Sequence, residues 1–248
     1  KETADNTPNT GYYLFLTDDT GIGQSTENKK STGTSPIFAV VGDSGVTVAE
    51  KTGVPTVEKK VKDDKPGSNW EDKADSQMGQ DVHYQLRGTV ADNVATFDTY
   101  YYEFHDELSA GLTANVGTVE VKIGDKILLH NSTAGDTTGY DVSIDDTTNT
   151  LTVKFADLKT AAKQAGATLD DSSNVVVTYT AKLNPEKAAK VIVGNTGNDN
   201  TVKLIYSNNP MSGGRGESVP DTVRDYTYAL KLVKEDAADE TTKLDGVK

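Results

Sequence analysis

The stretch PTVEKKVK at residues 55–62 alternates side chains in a way that places Val57, Lys59 and Val61 on one face of a predicted strand. The two valines favour burial of that face, so Lys59 is predicted to point inward beside them. Similar alternation recurs along the chain, and no long helical pattern interrupts it. The pattern predicts an all-β protein built as an antiparallel β-sandwich rather than a doubly wound α/β fold.

The central part of the chain is predicted to contain a series of strands and two short helices. The predicted strands cover residues 56–62, 81–90, 100–106, 117–127, 140–144, 150–155, 175–183 and 202–207. Apolar residues share one side of a predicted helix at 157–165, which Gly166 ends. Asn184 and Pro185 are typical of a helix start, and they predict a short turn through Ala189.

The two ends of the chain lack enough apolar residues to form cores of their own. We expect residues 1–52 to be the C-terminal part of a preceding β domain, packed against the linker side of the central sandwich or on further strands. The central domain is placed at 53–226, and 227–248 is predicted to be the first strand of a truncated domain. A Gly- and Pro-containing stretch at 208–220 predicts a loop before a strand at 226–234.

The composition excludes several classes of function. The chain carries 38 acidic and 25 basic residues, a formal net charge of -13, so its surface is predicted to repel nucleic acid and anionic membranes. It has no cysteine, which excludes disulfides and thiolate catalysis. No apolar run approaches the roughly 18 residues of a membrane span. The three histidines, His83, His105 and His130, lack metal-ligand spacing, so neither a metal site nor a cofactor is expected.

Several strings in a fixed order carry a resemblance to a known family. They are GVPTVEKKV at 53–61, FHDELSAGL at 104–112, VTYTAKLN at 177–184 and VKLIYSNNP at 202–210, together with Trp70, the pair Ala74 and Asp75, and Gly79. In order and spacing the chain resembles the second domain of the backbone pilins of Gram-positive bacteria, the isopeptide-forming fimbrial proteins. GTSPIFAVV at 33–41 looks like the end of the preceding domain, and TYALKLVKED at 227–236 is similar to the opening of a collagen-adhesin B-like domain.

The resemblance implies an Ig-like, collagen-adhesin A-like sandwich with short helices, flanked by partial β domains and stitched by an autocatalytic Lys–Asn isopeptide bond. It implies a structural shaft subunit of an extracellular, cell-wall-anchored pilus rather than an enzyme. The implied partners are neighbouring pilin subunits and the sortase that joins them, with a host surface or matrix as a further candidate. The alternative is a cell-wall-anchored adhesin module that binds a host or matrix ligand. A secreted hydrolase would need paired carboxylates or a Ser-His-Asp set, and neither motif is visible in the sequence.

Strand alternation indicates three polar residues as candidates for the isopeptide chemistry. Lys59 shares an inward face with valines, Asp106 ends the inward face of 100–106, and Asn208 ends that of 202–208. Burial favours the neutral amine and the neutral acid over their ions. The Lys59 amine would then attack the Asn208 carboxamide while Asp106 polarises its carbonyl, and ammonia would leave.

Alternatives for each role remain open on the sequence alone. Lys60 and Lys62 are the other candidate nucleophiles, and Glu103 and Glu71 are the other candidate acids. An ordinary buried ion pair between Lys59 and Asp106 would explain the same pattern without any covalent bond.

Two further lysines have candidate roles. Lys51 lies where the resemblance places the lysine that sortase links, although a solvated linker lysine is the simpler interpretation. Lys234 is the matching crosslink lysine of the truncated domain, and its acceptor would lie beyond Lys248.

Overall fold

The computed structural model describes residues 10–16, 33–42, 53–63, 65, 67–211 and 213–229, and the backbone of 235–236 and 239–243. In chain order the strands are β1 (Gly11–Phe15), β2 (Ile37–Val41), β3 (Val57–Lys62), β4 (Lys73–Asp75), β5 (Asp81–Thr89), β6 (Tyr102–Leu108), β7 (Leu112–Ile123), β8 (Lys126–Ile127), β9 (Asp141–Asp145), β10 (Thr150–Phe155), β11 (Asn174–Leu183), β12 (Asn198–Asn209), β13 (Gly214–Glu217), β14 (Asp221–Tyr226), β15 (Glu235–Asp236) and β16 (Asp239–Lys243).

Two sheets face each other in the central part of the chain. One sheet has the strand order β3-β5-β11-β7-β8, and the other has the order β4-β14-β12-β6-β10-β9 with β13 paired to β12. Neighbouring strands are antiparallel except for the short parallel pair of β4 and β14. This arrangement confirms the predicted all-β sandwich.

Alternation along the strands builds the core between the sheets. Tyr84 and Tyr179 come from one sheet and Tyr102, Phe104 and Leu204 from the other, and all five are buried. Their neighbours in sequence point the other way, as the period of a strand requires. Because the inward faces are apolar, any polar side chain on them is taken out of water and needs a partner inside the protein.

Both predicted helices are present. The helix α1 (Leu158–Gln164) begins after Asp157, whose side chain accepts a hydrogen bond from the Lys159 amide. A 3₁₀ helix at Pro185–Lys190 begins after Asn184, whose side chain accepts from the Glu186 amide. The cap at Asn184 is the one that the sequence indicates, whereas Asp157, which the prediction includes in the helix, is the cap that precedes it.

The C-terminal part of the sandwich differs from the prediction. The stretch 208–220, predicted to be a loop, contains β13, which pairs with β12. The strand predicted at 226–234 is wrong for 227–229, which form no strand because β14 ends at Tyr226, and residues 230–234 lie outside the described part of the chain. The reason is pairing: β14 hydrogen-bonds to the beginning of β12, so these residues complete the central sheet.

The N-terminal hairpin of β1 and β2 contacts the sandwich through the segment before β2. The Gly33 amide donates to the Asn208 carbonyl at 2.5 Å, and the Gly33 carbonyl accepts from the Asn93 side chain at 2.7 Å. The boundaries proposed at 52/53 and 226/227 stay predictions. Across the described ranges, no helix combines the length and apolar character that a membrane crossing requires.

Candidate crosslink site

Lys59 lies on the inward face of β3 and is fully buried. Its ammonium forms an ion pair with the Asp106 carboxylate and lies 3.3 Å from the Tyr179 hydroxyl oxygen. The same nitrogen is 5.5 Å from the ring centroid of Tyr84 and 5.7 Å from that of Tyr179. The Lys59 backbone amide donates to Asp221 Oδ2 at 2.6 Å, which ties β3 to β14 of the opposite sheet. Both the side chain and the backbone amide of Lys59 are therefore held by acidic side chains.

Burial changes the chemistry of this amine. It lowers the pKa of Lys59 from 10.5 to about 8, because desolvation disfavours the ammonium more than the Asp106 carboxylate stabilises it. A larger fraction of the amine is then neutral and nucleophilic near neutral pH than in a free lysine.

The two alternative lysines have different surroundings. Lys60 points outward and pairs with Asp72 at 2.6 Å, and that carboxylate raises the pKa of Lys60. The Lys62 nitrogen lies 5.9 Å from the Trp70 ring centroid, over its face. Neither contact directs the amine into the sandwich, so Lys59 is the candidate that the geometry favours.

Asp106 is the acid that meets Lys59. It lies on β6, fully buried, and its second carboxylate oxygen accepts from the Tyr179 hydroxyl at 2.6 Å. Glu103 points to the opposite face of β6, where it accepts from the Tyr101 hydroxyl. Glu71 is exposed, and its backbone pairs with that of Val61. The sequence-based choice of Asp106 over these two glutamates agrees with the observed positions.

The third predicted residue, Asn208, is not part of this cluster. The register of β6 and β12 places Asp106 opposite Val202. Asn208 lies six residues further along β12, about 20 Å away at the rise of an extended strand. It is buried near β13, where its backbone carbonyl accepts from the Gly33 amide. The assignment of Asn208 as acceptor is therefore corrected.

Asn200 is the carboxamide that the strand register brings to the site. It is fully buried on the inward face of β12, and its Nδ2 donates to the Tyr179 hydroxyl at 2.7 Å. That hydroxyl oxygen is the same atom that lies 3.3 Å from the Lys59 nitrogen. Asn200 Oδ1 is buried and has no hydrogen-bond partner among the described residues. Asn200, Lys59 and Asp106 therefore all contact the same Tyr179 hydroxyl.

The sequence contained a signal for Asn200 that the prediction missed. Asn200 has the same parity as Asn208 on β12, so both face inward. The predicted strand begins at Val202, two residues after Asn200, and so does not include it. The asparagine-rich opening NDN resembles a turn, but its pairing with both β14 and β6 holds it as strand.

The remaining predicted residues lie outside the part of the chain that the structure describes. These are Lys51 and Lys234. Within the described part, no three His, Cys, Asp or Glu side chains group as metal ligands.

Comparison with known proteins gives structural neighbours only. No family model matches the sequence, and no curated protein matches it. The chain is similar to the C-terminal fragment of the major pilin GBS80 of Streptococcus agalactiae, with 21% identity over 77% of this chain and 62% of that one, and a TM-score of 0.55. It is also similar to the T6 backbone pilin of serotype M6 Streptococcus pyogenes, with 21% identity over 83% of this chain and 45% of that one, and a TM-score of 0.53.

These similarities confirm the resemblance to backbone pilins at the level of fold. The all-β sandwich with few short helices is the architecture that the chain shares with both pilin structures. The chain spans about half to three fifths of the length of these two neighbours.

Proposed function

We propose that this chain is part of the shaft subunit of a covalently polymerised pilus on a Gram-positive bacterium, a structural protein rather than an enzyme. The pilus is extracellular and anchored to the cell wall, and the partners are neighbouring subunits and the sortase that links them. The observation that carries the proposal is the buried set of Lys59, Asp106 and Asn200 inside a pilin-like sandwich. Such a set serves no evident purpose in a binding surface, because all three side chains are shut off from solvent.

The cluster supports an intramolecular isopeptide bond between Lys59 and Asn200. The neutral Lys59 amine attacks the Asn200 side-chain carbonyl carbon, a new C–N bond forms, and the bond to Nδ2 breaks with release of ammonia. Asp106 takes a proton from the Lys59 nitrogen, to which it is already hydrogen-bonded. The protein performs this reaction once on itself.

The position of the bond suits a protein that is pulled along its length. Lys59 lies on β3 of one sheet and Asn200 on β12 of the other, so the bond joins the two layers of the sandwich. It closes a loop of about 140 residues, and the loop-entropy estimate used for disulfides gives roughly 5 kcal/mol at 25 °C. Force applied to the ends of the domain cannot extend the chain between these two residues while the bond is intact.

The intact mass of the purified chain tests the reaction. The wild-type protein is expected to weigh one ammonia less than its sequence, because the crosslink expels one. Lys59→Ala, Asp106→Ala and Asn200→Ala each remove one participant and are expected to keep the full mass. Asn208→Ala is the matched control, since it alters the same strand on the same face and should still lose ammonia. A full-mass wild type would refute the crosslink, and a full-mass Asn208→Ala would restore Asn208 as acceptor.

A transpeptidation assay tests the role in polymerisation. The chain is incubated with a pilus sortase and a donor peptide that bears a sorting signal, and the modified lysine is located by peptide mass mapping. We propose Lys51 as the acceptor, so Lys51→Ala should abolish transfer without changing thermal stability. Lys60→Ala is the control and should be labelled normally. Unimpaired labelling of Lys51→Ala would move the site to another lysine, and no labelling of any variant would count against the pilin role. Lys234 stays a proposed crosslink lysine of a further domain.

A further inference from the structure

Tyr179 occupies a central position in the buried cluster. Its hydroxyl donates to Asp106 Oδ2 at 2.6 Å and accepts from Asn200 Nδ2 at 2.7 Å. Asp106 uses its other oxygen, Oδ1, for the Lys59 nitrogen. A continuous chain of hydrogen bonds therefore runs from the attacking nitrogen, through the acid and the phenol, to the nitrogen that must leave.

We propose that Tyr179 is a catalytic residue of the isopeptide reaction and relays a proton from Asp106 to the departing Nδ2 of Asn200. The inference rests on the proposed Lys59–Asn200 bond and adds a residue to its mechanism. An amide nitrogen is a poor leaving group unless it is protonated, and Tyr179 is the hydrogen-bonding group on that nitrogen in the described structure.

The protons balance along this route. The Lys59 ammonium and the Asp106 carboxylate begin as an ion pair, and the ammonium first passes a proton to Asp106. The amine attacks the Asn200 carbonyl carbon and gains a positive charge. Asp106 then gives its proton to the Tyr179 oxygen as the Tyr179 hydroxyl passes its own proton to Nδ2, and ammonia leaves. Asp106 removes one further proton from the new amide nitrogen and ends the reaction neutral. No oxidant, reductant or other reactant is needed.

The surroundings keep Tyr179 in the form that the relay requires. It is buried, and desolvation together with the neighbouring Asp106 raises its pKa well above 10, so the phenol stays protonated. Its ring stacks on Tyr84 with centroids 5.3 Å apart, which fixes the direction of the hydroxyl. A phenylalanine at this position keeps the stacked ring and removes only the hydroxyl.

Time-resolved mass spectrometry of newly made protein tests the relay. The full chain is produced by cell-free synthesis, translation is arrested, and the loss of ammonia is followed with time. Tyr179→Phe is expected to react about 100-fold more slowly or worse, the range of a lost proton-transfer group. Tyr102→Phe is the matched control, because its buried hydroxyl donates to the Thr89 carbonyl at 2.7 Å within the same core. It should react within a few-fold of wild type.

A second variant separates proton transfer from positioning. Site-specific 3,5-difluorotyrosine at position 179 makes the phenol a stronger acid with little change of shape, so the relay predicts a changed rate of ammonia loss. An unchanged rate in this variant would overturn the relay and leave Tyr179 as a positioning residue. Equal rates for Tyr179→Phe and Tyr102→Phe would overturn any role in the reaction. If the wild-type protein itself never loses ammonia, the proposed Lys59–Asn200 crosslink is wrong. That outcome is distinct from a failure of the Tyr179 relay alone.

Discussion

At the scale of single residues, the buried polar side chains of the sandwich differ most from exposed residues of the same type, because burial changes their pKa values and hydrogen bonding. Strand alternation was sufficient to predict Lys59 and Asp106, because a period of two leaves few inward polar positions. It could not choose between Asn200 and Asn208, which face the same way on β12. That choice depends on the register with β6, which is set by long-range pairing and cannot be found by inspecting β12 alone.

Asp225 is another buried acid, and no sequence pattern singles it out. It lies on the inward face of β14, accepts from the Ser76 hydroxyl at 2.6 Å, and has one oxygen with no partner among the described residues. Desolvation is the largest cause that raises its pKa to about 7; the nearby Asp63 and Asp75 also raise it, and the hydrogen bond from Ser76 lowers it. The folded protein therefore holds this acid neutral where the unfolded chain ionises it.

This difference predicts that stability falls as the pH rises. Between about pH 4 and pH 7 the folded state binds the proton of Asp225 and the unfolded state does not, so the free energy of unfolding decreases with pH. The loss contributed by this group amounts to at most about 4 kcal/mol. Asp225→Asn keeps an acceptor for Ser76 without the charge, and it should weaken this decline in chemical denaturation at pH 4.5 and pH 8. An undiminished decline in Asp225→Asn would contradict the assignment.

At the scale of elements, the start of the helix α1 and the backbone before β6 both depend on the side chain of Asp157. Asp157 accepts from the Tyr100 amide at 2.9 Å, from the Lys159 amide at 3.1 Å and from the Thr160 hydroxyl at 2.5 Å. It therefore caps the helix and also anchors the backbone that leads into β6. The sequence predicted the helix from its apolar side, whereas the long-range bond to Tyr100 depends on how the helix packs.

Replacement of this cap should be costly. Asp157→Ala leaves the buried Tyr100 amide without its partner and removes the cap, so we expect a loss of about 2–4 kcal/mol of stability. Asp145→Ala is the control, because its carboxylate accepts from the Thr147 amide at 2.8 Å in an exposed turn. That variant should lose less than about 1 kcal/mol. Urea denaturation measures both losses. If Asp157→Ala and Asp145→Ala lose similar amounts of stability, the hydrogen bond to the Tyr100 amide does not stabilise the protein.

At the scale of the whole molecule, the two-sheet fold brings together a lysine, an acid and an asparagine that are far apart in sequence. The fold class was predictable, because alternation and the order of the strings both indicate a sandwich. The extent of the C-terminal strands was not, since β13 and β14 are held by pairing with β12 rather than by strong patterns of their own. A covalent bond between the two sheets would make the sandwich more resistant to unfolding.

Thermal unfolding measures how much the proposed crosslink adds to the stability of the protein. Lys59→Ala and Asn200→Ala should melt at lower temperature than wild type, because each would abolish the proposed crosslink and disturb a buried polar cluster. Asn208→Ala should keep the crosslink, and it should fall below wild type only by the cost of its own local contacts. If the Asn200 and Asn208 variants melt together while differing in mass, the crosslink contributes little to stability.

The bond itself is tested most directly by proteolysis of the denatured wild-type protein followed by tandem mass spectrometry. One branched peptide is expected, in which the segment containing Lys59 is joined to the segment containing Asn200, with the mass of one ammonia missing. Fragment ions should place the linkage on those two side chains. Recovery of both segments as separate, unmodified peptides, or a linkage of Lys59 to Asn208, would contradict the account.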